Sequence, residues 1–213
     1  MKILTYNIQD GGIGREELIL NVIEQINADV VILQEISNLR IVYRLSNKCN
    51  LHSFVARGNS KRSVAILSKQ KMAYLNSFHP IPLKHTLLEA KFIKHQQEIF
   101  LFGTHLAPYP FLLFEMWRLC EVSKILSRIS KLGSKHYIFC GDFNSVAPGD
   151  IVSFDNITKW IKFVLRLTQG GLFLRFVIEK IYKAGLLDCH KELNHNDTGY
   201  TLTALNPHIR LDY

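Results

Sequence analysis

Tyr137-Ile138-Phe139-Cys140-Gly141-Asp142-Phe143-Asn144-Ser145 is an apolar run that turns polar at its end. A short continuous run of this kind reads as a strand covered on both faces, here over Tyr137–Phe143. Asp142 and Asn144 close it. They stand two residues apart, so they share one face if the chain stays extended. Strand ends in α/β sheets are where ligands usually gather. A carboxylate or amide buried there without a partner is costly, so a neighbour, a metal or a ligand must satisfy it.

The same pattern recurs along the chain. Lys2–Ile8 reads as a strand that ends near Asn7 and runs into the turn residues Gln9-Asp10-Gly11-Gly12. Val30-Val31-Ile32-Leu33 is a second buried run, and Glu35 stands at its end. A strand over Glu98–Leu106 carries His105. Asp212 lies in the last expected strand, 209–213, which follows another at 200–203. Each of these residues alone reads more readily as a cap or a satisfied turn residue. Their joint occurrence points to a site.

Between these segments the sequence predicts further elements. Arg15–Asn27 reads as a helix with Leu18, Val22, Ile23 and Ile26 inward and Glu16 and Glu17 in its first turn. Arg62–Ser68 and Leu87–Ile93 read as strands around turns at Pro80 and Pro82. Phe111–Leu132 reads as a long helix whose apolar stripe includes Leu112, Leu119, Val122, Ile125, Leu126 and Ile129. Arg118 on it is expected at the surface. Asn156–Ala184 reads as two short amphipathic helices broken at Gly170-Gly171. No repeat or linker divides the chain, so one α/β domain with buried sheets is expected.

Bulk numbers agree. A chain of 213 residues with 47% apolar and 21% charged residues is globular in balance and long enough to bury a core without disulfides. Cys49, Cys120, Cys140 and Cys189 are isolated, which excludes a zinc finger or disulfide scaffold and suits a reducing compartment. The N-terminus carries no leader pattern, and Ile161–Ile178 is too interrupted by charge to span a bilayer. A cytoplasmic protein is expected. Lys plus Arg exceeds Asp plus Glu by 26 − 18 = 8, and residues 51–100 alone hold eight basic and two acidic residues. Such a field attracts phosphate-bearing partners or an anionic membrane, or serves only solubility. Within it, Arg57, Lys61, Arg62, Lys69 and Lys71 either track a phosphate backbone or form a solvated face. Residues 156–185 mix Trp160, Phe163, Leu165 and Phe173 with Lys159, Lys162, Arg166 and Arg175. They read as core packing, a substrate lid or a membrane-surface segment.

Five short motifs carry a family resemblance: Thr5-Tyr6-Asn7-Ile8, Leu33-Gln34-Glu35, Gly103-Thr104-His105-Leu106, Gly141-Asp142-Phe143-Asn144-Ser145 and Arg210-Leu211-Asp212-Tyr213. In this order the chain resembles the endonuclease/exonuclease/phosphatase superfamily, the deoxyribonuclease I-like fold. The resemblance implies a four-layer α/β/β/α sandwich with two packed mixed sheets, and divalent-cation-dependent hydrolysis of phosphoesters with Mg²⁺ or Mn²⁺. It implies Glu35 as first metal ligand and Asn7 as second. It makes Asp142 the base for the attacking water and Asn144 the group that holds that water or a phosphate oxygen. His105 then donates to a non-bridging oxygen. Asp212 corresponds to the family Asp that orients a later His. No His follows Asp212 before Tyr213, so residues 1–213 read as a single domain missing its last strand. That makes an impaired, non-catalytic binding module the competing reading. Gln9 stands where some members carry an Asp. The substrate class stays open among nucleic acid, lipid and inositol phosphates, with the charge favouring nucleic acid.

Overall fold

A computed structural model describes residues 1–133, 135–203 and 205–213. The chain divides into two compact units, Met1–His105 with Leu132–Asp142, and Leu106–Lys131 with Phe143–Tyr213.

The first unit is built on two four-stranded sheets. Strands β1 (Ile3–Asn7), β2 (Val30–Ile36), β3 (His52–Ala56) and β4 (Ser63–Ser68) form one, in the order β1-β2-β4-β3. Strands β5 (Tyr74–Phe78), β6 (Leu87–Lys94), β7 (Gln97–His105) and β8 (Tyr137–Asp142) form the other in sequence order. Both sheets are mixed. β1 pairs with β2 in parallel and β7 with β8 in parallel, while the remaining pairs are antiparallel.

Helices α1 (Glu16–Ile26) and α2 (Leu39–Lys48) cover the outer face of the first sheet. Ile19, Ile23, Ile41 and Leu45 pack there with Val31, Leu33 and Leu67. On the inner face Val30, Ile32 and Ile66 meet Leu88, Ala90, Leu101 and Cys140 of the second sheet. Every residue of β2 is buried, which is why its sequence shows no polar alternation. A Cβ on Gly103 would come within 2.9 Å of Ile32 Cγ2, so glycine there lets the sheets approach closely.

The second unit holds α3 (Leu112–Leu132), α4 (Lys159–Gln169), α5 (Phe176–Lys183) and α6 (Cys189–Leu193). Gly170, left-handed at φ +63°, ends α4 at the expected break.

Several expectations change. α2, β3 and β5 lack a clear signal in the sequence. β3 and β5 are edge strands, only partly buried, so their apolar alternation is weak. In α1 the buried face is Ile19, Leu20 and Ile23, and Leu18 is exposed. In α3 the buried face includes Glu115, Arg118 and Glu121 beside Val122, Ile125 and Ile129, while Leu112 is exposed. Among the described residues the last two expected strands are reduced to isolated bridges, Leu202 with Ile209 and a further one at Asp212. No helix among the described residues is long and apolar enough to cross a membrane.

Candidate active site

β1 and β2 end side by side, with Asn7 opposite Gln34. The register of β2 against β4 shifts between Leu33 and Ile36, and Glu35 sits in that bulge with a left-handed φ of +63°. The turn after β1 is left-handed too, with φ +51° at Gln9, +49° at Asp10 and +74° at Gly11. A Cβ on Gly11 would lie 2.1 Å from Ser37 Oγ, and its left-handed φ also favours glycine. This turn aims the Asp10 N–H at Glu35 Oε2, 2.9 Å away. Asn7 Oδ1 accepts the Gln9 N–H at 2.9 Å, which fixes the Asn7 amide. Its Nδ2 then donates to Glu35 Oε1 at 3.3 Å and to Asp142 Oδ2 at 2.9 Å. One amide thus joins carboxylates from the two sheets.

Asp142 reaches that point through the parallel pairing of β7 and β8, whose last register pair is His105 with Asp142. Gly141 before it has φ +140°, and a Cβ there would lie 2.0 Å from the Thr104 carbonyl oxygen. His105 Nε2 is 3.6 Å from Asp142 Oδ2. Burial pushes the His105 imidazole down to about 4. Nearby Glu35 opposes that shift, and Arg62 and Lys84 add to it. At neutral pH the ring is therefore uncharged.

Two partners of this group were not legible in the sequence. His85, just before β6, stacks its ring on His105 with centroids 4.5 Å apart and planes 5° from parallel. Burial, then the neighbouring His105 and Lys84, hold His85 down to about 3. Its Nδ1 is 2.6 Å from Ser60 Oγ, which also accepts the Arg62 N–H at 3.1 Å. Arg62 pairs with Asp10 and lies 3.3 Å from Glu35 Oε1. Charge alone had marked Arg62 as one cation of a cluster, and only the fold brings it to Glu35. His85 carries no signal beyond its place before a strand. Among the described residues no ion pair of Arg57, Lys61 or Lys71 accompanies it.

The first unit therefore gathers Asn7, Glu35, His105 and Asp142. Asn144 and Asp212 lie in the second. β8 stops at Asp142 and Asn144 has φ +49°, so the extended geometry expected of the pair is not formed. Asn144 Nδ2 donates to the Leu106 carbonyl at 3.1 Å. Asp212 is half-buried, and its N–H points to Thr201 Oγ1 at 3.3 Å.

Arg118 is not a surface residue. It is 2% exposed, and Glu115 Oε2 accepts from its Nη2 at 2.8 Å. Its Nη1 donates to the carbonyls of Ala107 and Tyr109. Glu115 also accepts from Ser145 Oγ and the Val177 N–H. Such pairing is what allows two charges on a helix to be buried. The final motif works similarly: Arg210 bridges Asp150 and Asp188, and Tyr213 OH donates to Asp150 at 2.9 Å. Tyr213 also stacks on Phe143 at 5.5 Å. A largely apolar cavity of about 200 Å³ lies in this unit, lined by Asn144, Val146, Ile161, Phe173 and Leu174 among others.

The sequence pattern of the endonuclease/exonuclease/phosphatase family matches residues 4–213. The chain belongs to that family.

Solved structures agree in fold. An AP endonuclease from Archaeoglobus fulgidus superposes with TM-score 0.71 at 18% identity, over 99% of this chain and 82% of that one. Truncated TDP2 from Caenorhabditis elegans gives 0.57 at 18% identity, over 70% of this chain and 66% of that one. The human nocturnin catalytic domain, with bound sulfate, gives 0.59 at 19% identity, over 68% and 64%. The match spans just under two thirds of the TDP2 and nocturnin chains. No curated protein matches the chain by sequence. The fold is thus the deoxyribonuclease I-like one, with the two mixed sheets that the motifs implied.

Members of this family generally use divalent metals. Among the described residues no three His, Cys, Asp or Glu side chains converge into a ready cage. The donors that do converge are the Glu35 carboxylate and the Asn7 amide. These are hard oxygen donors, and Mg²⁺ typically takes only one or two carboxylates and keeps several waters. The set fits such an ion. Asn7 Oδ1 accepts the Gln9 N–H and keeps a second lone pair with which it can join such an ion.

Proposed function

We propose that the Asn7–Glu35–His105–Asp142 cluster hydrolyses phosphoester bonds with a divalent cation, Mg²⁺ or Mn²⁺, held by Glu35 and Asn7. The observation that carries this is the single Asn7 amide shared by Glu35 and Asp142. It sets two carboxylates and an imidazole around one point. A bound cation would neutralise charge developing on phosphate oxygens. Asp142 takes the proton of the attacking water. Neutral His105 donates an N–H to a non-bridging oxygen as its charge grows. Asn144, as the group that would hold the water or a phosphate oxygen, enters this reading through the family pattern. Asp212 enters this reading through the family pattern alone.

Arg62 and Lys84, both close enough to depress the His105 pKa, set two cations beside the carboxylates. This supports an anionic substrate, and the basic surplus of residues 51–100 favours a nucleic-acid phosphodiester. A lipid or inositol phosphate is the second reading, favoured by the exposed apolar and basic residues of α4. Nucleic-acid turnover should fall steeply with salt, whereas lipid turnover should follow vesicle surface. The four cysteines are free thiols, in keeping with a cytoplasmic setting.

The test is hydrolysis of bis(p-nitrophenyl) phosphate with Mg²⁺ or Mn²⁺ by the chain and by Asp142→Ala. Metal-dependent turnover that the variant loses by about 10²–10⁴-fold supports the enzyme. Equal background in both sinks it and leaves a binding module.

A further inference from the structure

The outer face of α4 is unusual for a helix of a water-soluble domain. Trp160, Phe163 and Leu167 follow at i, i+3 and i+7, and they are 63%, 61% and 69% exposed. At 3.6 residues per turn this spacing makes one stripe. Lys159, Lys162 and Arg166 repeat the same spacing one residue earlier, so a basic stripe runs alongside it. The opposite side of the helix carries Leu165, which is fully buried, and Ile161, which lines the apolar cavity. α4 therefore has its core face satisfied and a second apolar face left outward.

The charge around this face is one-sided. From residue 156 to residue 178 there are four basic residues and no acidic one. Lys159 and Arg166 make no ion pair among the described residues. The apolar surface also extends past α4. The ring of Phe111 meets that of Trp160 edge-on at 5.5 Å, at the start of α3, where Leu113 is 81% exposed. Leu172 and Phe176, further along the chain, are exposed as well.

We infer that α4 docks this protein on an anionic phospholipid surface. Trp160, Phe163 and Leu167 enter the headgroup–acyl boundary, and Lys159, Lys162 and Arg166 meet the lipid phosphates. Trp suits that boundary because its ring is amphipathic. A helix with an apolar stripe and flanking cations lies in the plane of the interface and does not cross it. Neither component suffices alone, since three side chains give modest apolar burial and each cation adds only about 1 kcal/mol near a charged leaflet. The two stripes together set the requirement for negative charge on the bilayer. This inference is separate from the phosphoesterase reading, and its test reads binding without turnover.

The chain has two tryptophans, so Trp117→Phe leaves Trp160 as the sole indole reporter. This variant is titrated with vesicles of phosphatidylcholine, and with vesicles of phosphatidylcholine plus phosphatidylglycerol. Co-sedimentation and Trp160 emission are read together. The expected result is sedimentation and a blue shift with the anionic vesicles only, reversed by high salt. Phe163→Glu/Leu167→Glu should weaken this partition by at least about tenfold, as should Lys159→Glu/Arg166→Glu. All four positions are exposed, and unchanged circular dichroism and Tm check the fold of each variant. Equal binding to neutral vesicles overturns the inference. So does full binding by both double variants. A dimer in size-exclusion chromatography that Phe163→Glu/Leu167→Glu dissolves, with no vesicle binding by the parent, also overturns it and assigns the face to a second copy of the chain.

Discussion

His105 and His85 enter the interior without charge, and that has a pH signature. Both are depressed below the ordinary imidazole value, to about 4 and about 3, chiefly by burial. A depressed group binds protons more readily in the unfolded chain than in the folded one. Its stabilising contribution is complete above about pH 6.5 and is lost as pH falls towards the folded value. The urea midpoint should therefore drop between pH 6.5 and pH 4. In His85→Phe, which keeps a flat ring against His105, that drop should be shallower. A midpoint flat across the window, or an equal drop in the variant, would contradict this assignment. At this scale much of the site was readable, because Asn7, Glu35, His105 and Asp142 each close an apolar run. Arg62 and His85 were not, since only tertiary folding places them near Glu35 and His105. Arg118 was misread for a related reason. A charged residue on a helix is exposed by default, and only the carbonyls of Ala107 and Tyr109 together with Glu115 reverse that.

Among the elements, β8 and α3 hold the sharpest constraints. Gly141 sits where a side chain would run into the Thr104 carbonyl of β7. Gly141→Ala should cost about 3 kcal/mol or more and disturb the His105–Asp142 pairing. Loss of Tm well beyond that of a surface Gly→Ala control would show it. On α3, Arg118→Met leaves the Glu115 carboxyl buried without its guanidinium. Stability should fall by about 3–5 kcal/mol in chemical denaturation, and Arg118→Lys should recover only part, because an ammonium cannot reproduce the forked set of bonds. The central strands were legible because both of their faces are covered. The edge strands β3 and β5 were not, because each is only partly buried. The apolar stripe of α3 was only partly right, because its inward face mixes an ion-paired set with Val122, Ile125 and Ile129.

For the whole molecule, the proposed cation would link binding to folding. An ion that binds the folded chain at Glu35 and not the unfolded one adds about 2.7 kcal/mol at one hundred times its dissociation constant. Mn²⁺ should therefore raise Tm in a concentration-dependent way, and EDTA should reverse it. Glu35→Gln should keep the fold and lose the response. An equal Mn²⁺ response in both proteins would move the cation elsewhere. The basic surplus of residues 51–100, legible as a number, acquires a location through Lys84 near His105 and through Arg62, which pairs with Asp10 and Glu35 while staying partly exposed.

The left-handed bulge at Glu35 has a consequence of its own. That backbone conformation favours glycine and disfavours a long side chain by roughly 1–2 kcal/mol. Relief of that strain would favour glycine at position 35, but glycine would also leave the Asp10 N–H, the Asn7 amide and Arg62 without their shared acceptor. Any programme to harden this protein should hold that position fixed, because the side chain that strains the backbone also ties three neighbours together.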